Sequence, residues 1–233
     1  MAKTGVIAGS AFHRMGLSEE VNPVKVSTSF GKVTVLESDD IVFVPRHGMQ
    51  DSIPPHRINY QANLSAFKKR GVARIVGVNS VGSLKLEIPP KTLVIPHDYI
   101  NLWGIQTLFD GEIRHITPGL DEDLRQLIIG VAEKRKIEVT DGGIYIQTTG
   151  PRLETRAEIH LLKNFGDVVG MTMANEATLA QELAIPYASI CSVDNYCHGI
   201  SQLPLKADDI LRTGRDNMER AKALVLAIIE EVR

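Results

Sequence analysis

The sequence predicts an α/β protein in which a mixed, mostly parallel sheet is flanked by helices. Short apolar runs rich in Val and Ile alternate with longer amphipathic segments, which is typical of such a sheet. The chain has 233 residues, of which 43% are hydrophobic, so it is long enough to bury one sizeable core. No internal repeat, low-complexity tract or linker interrupts it. Residues 1–233 are therefore expected to form a single domain.

The elements follow in chain order from the spacing of the apolar residues. The predicted strands are the short apolar runs, at residues 3–8, 33–36, 41–45, 73–78, 93–96, 143–148, 167–171 and 187–193. The predicted helices are the longer amphipathic segments, at residues 58–70, 121–136, 154–164, 175–183 and 207–232. The first helix ends where three cations precede Gly71, which can adopt the left-handed cap. In the last, apolar residues recur at helical spacing from Ile210 to Val232.

Composition excludes several classes of partner. Lys and Arg number 26 against 28 Asp and Glu, and no basic block could follow a phosphate backbone, so we expect no nucleic-acid partner. No apolar run reaches the roughly 18–20 residues of a membrane helix, and residues 1–9 lack the features of a signal peptide. We therefore expect no membrane partner and a cytoplasmic location. Cys191 and Cys197 match no common zinc or redox spacing and are expected to be free thiols.

Polar residues and glycines follow the apolar runs at five predicted strand ends. In an open α/β sheet, ligands usually bind outside the carboxyl ends of the strands. These ends supply a guanidinium, an imidazole, hydroxyls and backbone amides beside glycines, which together can hold a phosphate-sized anion. The segments are 9–10, 46–48, 79–83, 171–173 and 194–195.

Each of these residues also has an ordinary structural interpretation. Arg46 can be a surface salt-bridge partner, and His47 can be a hydrogen-bonded core histidine. Ser10 can be a turn hydroxyl, and Thr172 can be a helix N-cap. Their convergence at one edge of the sheet favours a binding site.

Motifs of several other enzyme classes are absent from the sequence. Neither G-x-G-x-x-G nor G-x-x-x-x-G-K-[ST] occurs, which argues against a dinucleotide oxidoreductase and a P-loop enzyme. A G-x-S-x-G elbow and an H-E-x-x-H helix are also missing. Because the histidines are scattered without metal-ligand spacing, we expect no metal site.

Five longer motifs occur in order along the chain. They are Pro45-Arg46-His47-Gly48, Asn59-Tyr60-Gln61-Ala62-Asn63-Leu64, Ser80-Val81-Gly82-Ser83-Leu84, Gly150-Pro151-Arg152-Leu153-Glu154-Thr155-Arg156-Ala157-Glu158 and Met171-Thr172-Met173-Ala174-Asn175-Glu176. Together they resemble the trimeric purine nucleoside phosphorylases, and within that family the methylthioadenosine phosphorylase branch. The similarity extends from about Thr4 to Val232. It implies a nucleoside phosphorylase-like fold.

The resemblance implies phosphorolysis, in which inorganic phosphate attacks the anomeric carbon of a purine nucleoside and releases the base and a ribose 1-phosphate. Phosphate is then a co-substrate, and no cofactor, metal or covalent nucleophile is required. Catalysis depends on placing the phosphate and stabilising charge on the departing base. The implied assembly is a homotrimer, with a dimer of trimers as a larger form. By similarity, the phosphate-binding residues are Ser10, Arg46, His47, Asn79, Ser80 and Thr172.

The remaining roles implied by the resemblance concern the nucleoside. Met171 would lie beneath the ribose, and Leu153 would line the nucleoside site. Asn195 joins Arg46 and His47 as the implied catalytic residues.

Three residues depart from the methylthioadenosine phosphorylase pattern and concern the base. Glu154 stands where that branch has a small hydroxyl residue, and Asn195 and Cys197 stand where it has aspartates. Glu154 and Asn195 match instead the residues of phosphorylases that act on inosine and guanosine. A 6-oxopurine has an N1–H that donates to a carboxylate and an O6 that accepts from an amide, whereas adenine reverses both requirements. Cys197 is expected to line the base pocket.

The 5′ side of the sugar is expected to face Ala207, Ile210 and His115, the last from a neighbouring subunit. A small Ala207 leaves room for a methylthio group, so 5′-methylthioinosine competes with inosine as the substrate. The resemblance also indicates that this chain lacks a C-terminal extension that helps to close the pocket in longer relatives.

The sequence thus predicts a phosphorylase of inosine, guanosine and 5′-methylthioinosine that acts in purine salvage. Three alternatives remain open. One is an adenine-specific S-methyl-5′-thioadenosine phosphorylase, and another is a nucleosidase that uses water, although Arg46 and His47 would then have no clear role. The third is a non-catalytic purine-binding sensor.

Overall fold

The computed structural model describes residues 2–9, 21–50, 52–202 and 207–233, apart from the side chains of 207–211. Its strands are β1 (Lys3–Ala8), β2 (Asn22–Thr28), β3 (Gly31–Glu37), β4 (Ile41–Pro45), β5 (Val72–Ser83), β6 (Leu93–Ile95), β7 (Asp98–Asn101), β8 (Thr140–Asp141), β9 (Ile144–Gln147), β10 (Val168–Gly170) and β11 (Tyr187–Tyr196). Its α-helices are α1 (Tyr60–Arg70), α2 (Glu122–Arg135), α3 (Arg156–Leu162), α4 (Met173–Glu182) and α5 (Ala207–Glu231).

All eleven strands of the described chain join one sheet, with β5 at its centre. β5 pairs in parallel with β1 on one side and with β11 on the other. The β1 side continues through β4, β3 and β2, while the far half of β5 pairs antiparallel with β10, which continues to β9 and β7. Most pairings are parallel, which confirms the predicted mixed, mostly parallel sheet.

Helices cover both faces of this sheet, as the near-continuous apolar strands require. On β1, Val6 and Ala8 belong to the core cluster formed with α2 and α5, whereas Ile7 between them belongs to the cluster formed with α1 and α4. This alternation follows from the two-residue side-chain period of a strand. Because both faces are buried, the position of each strand end is fixed by packing on two sides.

The predicted elements differ from the observed ones in several respects. β5 continues to Ser83 and β11 to Tyr196, beyond the predicted ends at residues 78 and 193, and α4 begins at Met173 instead of residue 175. Three strands were not predicted, namely β2, β7 and β8. The third helix begins at Arg156 instead of residue 154, because Thr155 is its N-cap and forms a capping box with Glu158. Glu154 therefore lies in the loop before α3, outside the helix.

A bulge interrupts β11 near its end. Val193 pairs with Val81 and Asn195 pairs with Gly82, so Asp194 is an extra residue without its own partner in β5. Bulges of this kind bend a strand and redirect the side chains that follow.

Within the described residues, no helix combines the length and apolar character needed to cross a bilayer.

Candidate active site

A cavity of about 270 Å³ lies where the ends of β1, β4, β5, β10 and β11 meet. Its wall includes residues from each of the five predicted strand ends. The residues that line it include Gly9, Arg46, His47, Ser80, Gly82, Leu153, Glu154, Met171, Thr172, Asn195, Cys197 and His198. The structure thus brings together most of the residues singled out from the sequence.

Arg46 is buried and held by a carboxylate on α4. Its Nε donates to Glu176, and its Nη2 donates to the other carboxylate oxygen at 3.0 Å. Nη1 and Nη2 also donate to the backbone carbonyls of Val78 and Ile7, at 3.0 and 3.1 Å. Contacts within the described chain therefore use four of the five N–H groups and leave one on Nη1.

The charge of Arg46 is largely balanced by Glu176, which is fully buried and also accepts from the hydroxyl of Tyr187 at 2.8 Å. Burial alone would lower the pKa of Arg46, but the adjacent Glu176 carboxylate raises this pKa above its ordinary value. Arg46 is therefore a cation at every accessible pH. Since the pair is close to neutral, Arg46 offers the cavity a directed donor more than a net charge.

His47 follows Arg46 at the end of β4 and lies beside Gly9 at the end of β1. Its Nδ1 is 2.7 Å from the carbonyl oxygen of Ile53. Because a carbonyl oxygen can only accept, Nδ1 carries the proton in this contact. This bond fixes the tautomer and the orientation of the imidazole ring.

Thr172 occupies the N-cap position of α4, yet its side chain does not cap the helix. The first N–H groups of α4 are bonded instead by two side chains of β9. The hydroxyl of Tyr145 accepts from the N–H of Thr172 at 3.0 Å, and Oε1 of Gln147 accepts from the N–H of Ala174 at 2.7 Å. The Thr172 hydroxyl is consequently not used for capping and lines the cavity.

Asn79 is fully buried, and its amide bonds to Thr172 and Ser189. The family resemblance implies that Asn79 binds the anion directly. The structure places it one layer behind Thr172, and it is absent from the cavity wall.

Ser80 lines the cavity, and its hydroxyl donates to a carboxylate of Asp194, the bulge residue of β11. The second carboxylate oxygen of Asp194 accepts from Ser192 at 2.5 Å. Burial raises the pKa of Asp194 from 3.8 to about 6, although both serines donate to it and partly oppose the shift. The hydroxyl proton of Ser80 is therefore already used and is not available to an anion in the cavity.

Glu154 and Asn195 also line the cavity. Oε1 of Glu154 accepts from the hydroxyl of Thr148 at 2.6 Å. Nδ2 of Asn195 donates to the backbone carbonyl of Tyr196 at 2.9 Å, which orients the amide. One amide N–H and Oδ1 of Asn195 then remain for a ligand.

Two further residues shape this part of the wall. A Cβ on Gly82 would lie 2.5 Å from Sγ of Cys197 and 3.2 Å from Nδ2 of Asn195, so a larger residue would displace both side chains. Burial raises the pKa of the Cys197 thiol, and the Glu154 carboxylate raises it further, so Cys197 is a neutral thiol at this position.

The phosphorylase superfamily model matches residues 3–230. The chain belongs to the phosphorylase superfamily. It is 38% identical to the probable 6-oxopurine nucleoside phosphorylase of Archaeoglobus fulgidus, over 98% of this chain and 96% of that protein. It is 37% identical to the probable S-methyl-5′-thioinosine phosphorylase of Methanocaldococcus jannaschii, over 97% of this chain and 90% of that protein.

The fold is similar to that of a methylthioadenosine phosphorylase from Schistosoma mansoni solved in complex with adenine. The TM-score is 0.90 and the sequence identity 27%, over 100% of this chain and 92% of that one. The predicted family and nucleoside phosphorylase-like fold are confirmed.

Besides Asn79, four predicted site residues of this phosphorylase are not placed in the cavity. Ser10 lies outside the described residues, and the side chains of Ala207 and Ile210 are likewise not described, although both residues belong to α5. His115 is exposed in a separate cleft beside Tyr99 and Thr178. A role for His115 therefore needs a second subunit.

Five residues of the phosphorylase site were missed by the sequence analysis as contributors: Thr148, Glu176, Ser189, Asp194 and His198. Thr148 and Asp194 lie at strand ends, and this position in the sequence could have identified them as site residues. Nε2 of His198 accepts from Nε of Arg156 at 3.0 Å. Ser189 lies inside a strand, where no local pattern distinguishes it, whereas Glu176 is the last residue of the fifth sequence motif but had no role assigned to it. Among the described residues, no group of three His, Cys, Asp or Glu side chains is arranged to hold a metal ion.

Proposed function

We propose that this protein cleaves 6-oxopurine nucleosides, namely inosine, guanosine and 5′-methylthioinosine, with inorganic phosphate. The products are the free base and ribose 1-phosphate or its 5-methylthio analogue, and the role is purine salvage. The observation that carries the proposal is that Glu154 and Asn195 line the same cavity as Arg46, His47 and Thr172. The names of the archaeal relatives support the same class of substrate.

Base recognition follows from the hydrogen-bonding capacity of two side chains. Because Thr148 bonds Oε1 of Glu154, Oε2 is left to accept the N1–H of a 6-oxopurine. The remaining N–H of Asn195 donates to O6 of the base. Its Oδ1 accepts a hydrogen bond from N7–H once N7 is protonated. Adenine has a lone pair at N1, which a carboxylate repels, so adenosines should be poor substrates.

The chemical step needs no group beyond phosphate and the nucleoside. A phosphate oxygen forms a bond to C1′ while the bond from C1′ to N9 breaks, and the electron pair of that bond goes to the purine. Asn195 stabilises the base as its negative charge develops, when protonation at N7 begins. Arg46, His47 and Thr172 hold the phosphate beneath C1′. Phosphate is thus a co-substrate, and no cofactor is invoked.

We also propose a homotrimer, alone or as a dimer of trimers, with residues 1–233 as one domain in each subunit. The segment between β7 and α2 exposes large apolar side chains, including Trp103 at 50% and Ile113 at 93%. Its base is fixed, since Glu182 of α4 accepts from Thr107 at 2.7 Å and from the N–H of Leu108 at 2.6 Å. An anchored apolar segment of this kind fits a subunit interface, and it places His115 where it can reach a neighbouring subunit.

A cytoplasmic location is the last part of the proposal. Cys191 and Cys197 are both free and buried, which fits a protein that remains in a reducing compartment.

A panel of nucleosides assayed with and without phosphate tests the proposed reaction. We expect release of hypoxanthine and guanine from inosine, guanosine and 5′-methylthioinosine only when phosphate or arsenate is present. Release without either anion would indicate a nucleosidase, and binding without release in phosphate would indicate a sensor. Adenine released from methylthioadenosine at the same efficiency as hypoxanthine from methylthioinosine would indicate the adenine-specific enzyme.

A further inference from the structure

We propose that Ser189 and Asn79 are positioning residues that direct the hydroxyl proton of Thr172 into the cavity, where it bonds a phosphate oxygen. The three side chains form a hydrogen-bonded chain that runs from the centre of the sheet to the cavity wall. The inference rests on the proposed function, because it assumes that the anion beside Thr172 is phosphate.

The hydrogen-bonded chain of Ser189, Asn79 and Thr172 is buried along its whole length. Ser189 and Asn79 are both 0% exposed, on the adjacent strands β11 and β5, and Thr172 is 8% exposed at the cavity. Oγ of Ser189 is 2.7 Å from Oδ1 of Asn79, and Nδ2 of Asn79 is 2.8 Å from Oγ1 of Thr172. A Cβ on Gly77 would lie 2.1 Å from the hydroxyl oxygen of Tyr187 and 3.0 Å from Oδ1 of Asn79, so a larger residue there would disturb both side chains.

The direction of the protons follows from what each atom can donate. Oγ of Ser189 has two neighbours, Oδ1 of Asn79 at 2.7 Å and Sγ of Cys191 at 3.6 Å. Its single proton goes to the closer and stronger acceptor, Oδ1, so the NH₂ group of the amide faces Thr172. An amide NH₂ can only donate, and Oγ1 of Thr172 therefore accepts. The single proton of the Thr172 hydroxyl must then point away from Asn79. Such chains polarise their members in one direction.

The alternatives for that proton are limited by the surroundings of α4. The first N–H groups of the helix are donors, and they are bonded by Tyr145 and Gln147. They neither need the Thr172 oxygen nor accept its proton. Among the described residues, the Thr172 hydroxyl has no acceptor, and Thr172 lines the cavity. A phosphate oxygen there is an acceptor that gains from a charge-assisted bond.

The test is a double-mutant cycle in which phosphate affinity is measured by titration calorimetry on the full chain. Thr172→Val removes the donor and should weaken phosphate binding at least about tenfold, which corresponds to about 1.4 kcal/mol. Ser189→Ala frees the Asn79 amide to turn and should weaken phosphate binding about three- to tenfold. In the Thr172→Val background, Ser189→Ala should have no further effect, because it acts through Thr172.

Three controls separate positioning from a general structural effect. Ser83→Ala removes another fully buried serine hydroxyl, one that donates to a backbone carbonyl, and should leave phosphate affinity unchanged. Ser189→Cys keeps a weak donor and should restore part of the affinity. In Thr172→Val and Ser189→Ala, the KM for inosine should stay within about twofold of the wild-type value while the KM for phosphate rises.

Wild-type phosphate affinity in folded Ser189→Ala, or full additivity with Thr172→Val, would overturn the positioning role. Failure of the proposed function has a different signature, since the wild-type protein would then neither bind phosphate nor require it for release of base. Should Ser189→Ala not fold, Ser189→Cys carries the same cycle, with a smaller expected loss.

Discussion

Thr148 orients Glu154, the residue proposed to recognise the base. The hydroxyl of Thr148 donates to one carboxylate oxygen at 2.6 Å and has the carbonyl of Gly170 as a more distant acceptor at 3.5 Å. The carboxylate is thereby held in one rotamer with its second oxygen unpaired. This arrangement lowers the entropy lost when a base binds.

Thr148→Val keeps the shape of the side chain and removes this donor. We expect the ratio of kcat/KM for inosine to that for adenosine to fall about tenfold, because a carboxylate that is no longer fixed discriminates less at N1. Thr149→Val, a change at the exposed neighbouring residue, should leave the ratio unchanged. Equal ratios in both variants would show that Thr148 does not orient Glu154.

Asp194 gives the protein a pH-dependent stability. Burial raises its pKa in the folded state to about 6, above the ordinary value of 3.8 expected for the unfolded chain. The native state therefore holds the proton at higher pH than the unfolded state does. Stability from this group is fully present below about pH 4 and is lost as the pH rises through 6.

Asp194→Asn removes the titration and should flatten that dependence. Between pH 4 and pH 7, the free energy of unfolding of the wild type should fall relative to the variant by up to about 3 kcal/mol. Urea unfolding at a series of pH values measures this difference. Parallel curves for the two proteins would mean that Asp194 titrates normally.

At the scale of elements, the sequence predicted strands where apolar residues are continuous and missed strands where they are not. β1 and β4 are buried along almost their whole length, and their predicted bounds match the observed ones. β2 has one buried residue, Val26, and β7 has none, so neither shows a clear apolar pattern. These strands form through backbone pairing with neighbours that a local pattern cannot reveal.

The start of α4 could not be predicted because distant side chains stabilise it. Gln147 of β9 is 2% exposed and accepts from the N–H groups of Ala174 and Asn175 at 2.7 and 3.3 Å. The sequence predicted that this helix begins at residue 175, and an N-cap was one ordinary interpretation of Thr172. The first N–H groups of the helix are bonded instead by residues about 27 positions away. Because Tyr145 and Gln147 bond these N–H groups, the Thr172 side chain does not cap the helix, and Thr172 lines the cavity.

Gln147→Leu should therefore affect both the helix and the site. Two buried N–H groups lose their acceptor, which should lower the free energy of unfolding by about 1–3 kcal/mol and raise the KM for phosphate. Gln126→Leu is the matched control, because Gln126 bonds Glu122 on the exposed face of α2. A loss of stability with an unchanged phosphate KM would separate helix capping from the site.

At the scale of the whole molecule, the strand-end rule located the cavity, whereas the partners of its residues were not predictable. Arg46 and Glu176 are 130 residues apart, and Ser80 and Asp194 are 114 apart. A single sequence shows which residues lie at strand ends, but it does not show which of them are already paired. Asn79 and Ser80 illustrate this, since the hydrogen bonds of both side chains are used inside the protein.

The proposed trimer predicts that one apolar segment controls both assembly and activity. Ile113→Asp introduces a charge on a side chain that is 93% exposed in the isolated subunit, so folding should be unaffected. Light scattering should report a trimer for the wild type and smaller species for this variant, with loss of phosphorolysis. Leu86→Asp, at another exposed apolar residue, should remain trimeric and active. An active monomeric wild type would contradict the proposed shared site.

Selectivity for the base is the most direct test of the proposed 6-oxopurine phosphorolysis. In saturating phosphate, kcat/KM for 5′-methylthioinosine should exceed that for 5′-methylthioadenosine by about a hundredfold or more, because Glu154 and Asn195 match only the 6-oxopurine. The double variant Glu154→Ser with Asn195→Asp removes both mismatches with adenine and should move this ratio toward methylthioadenosine. Equal kcat/KM values for the two nucleosides in the wild type would contradict the roles proposed for Glu154 and Asn195.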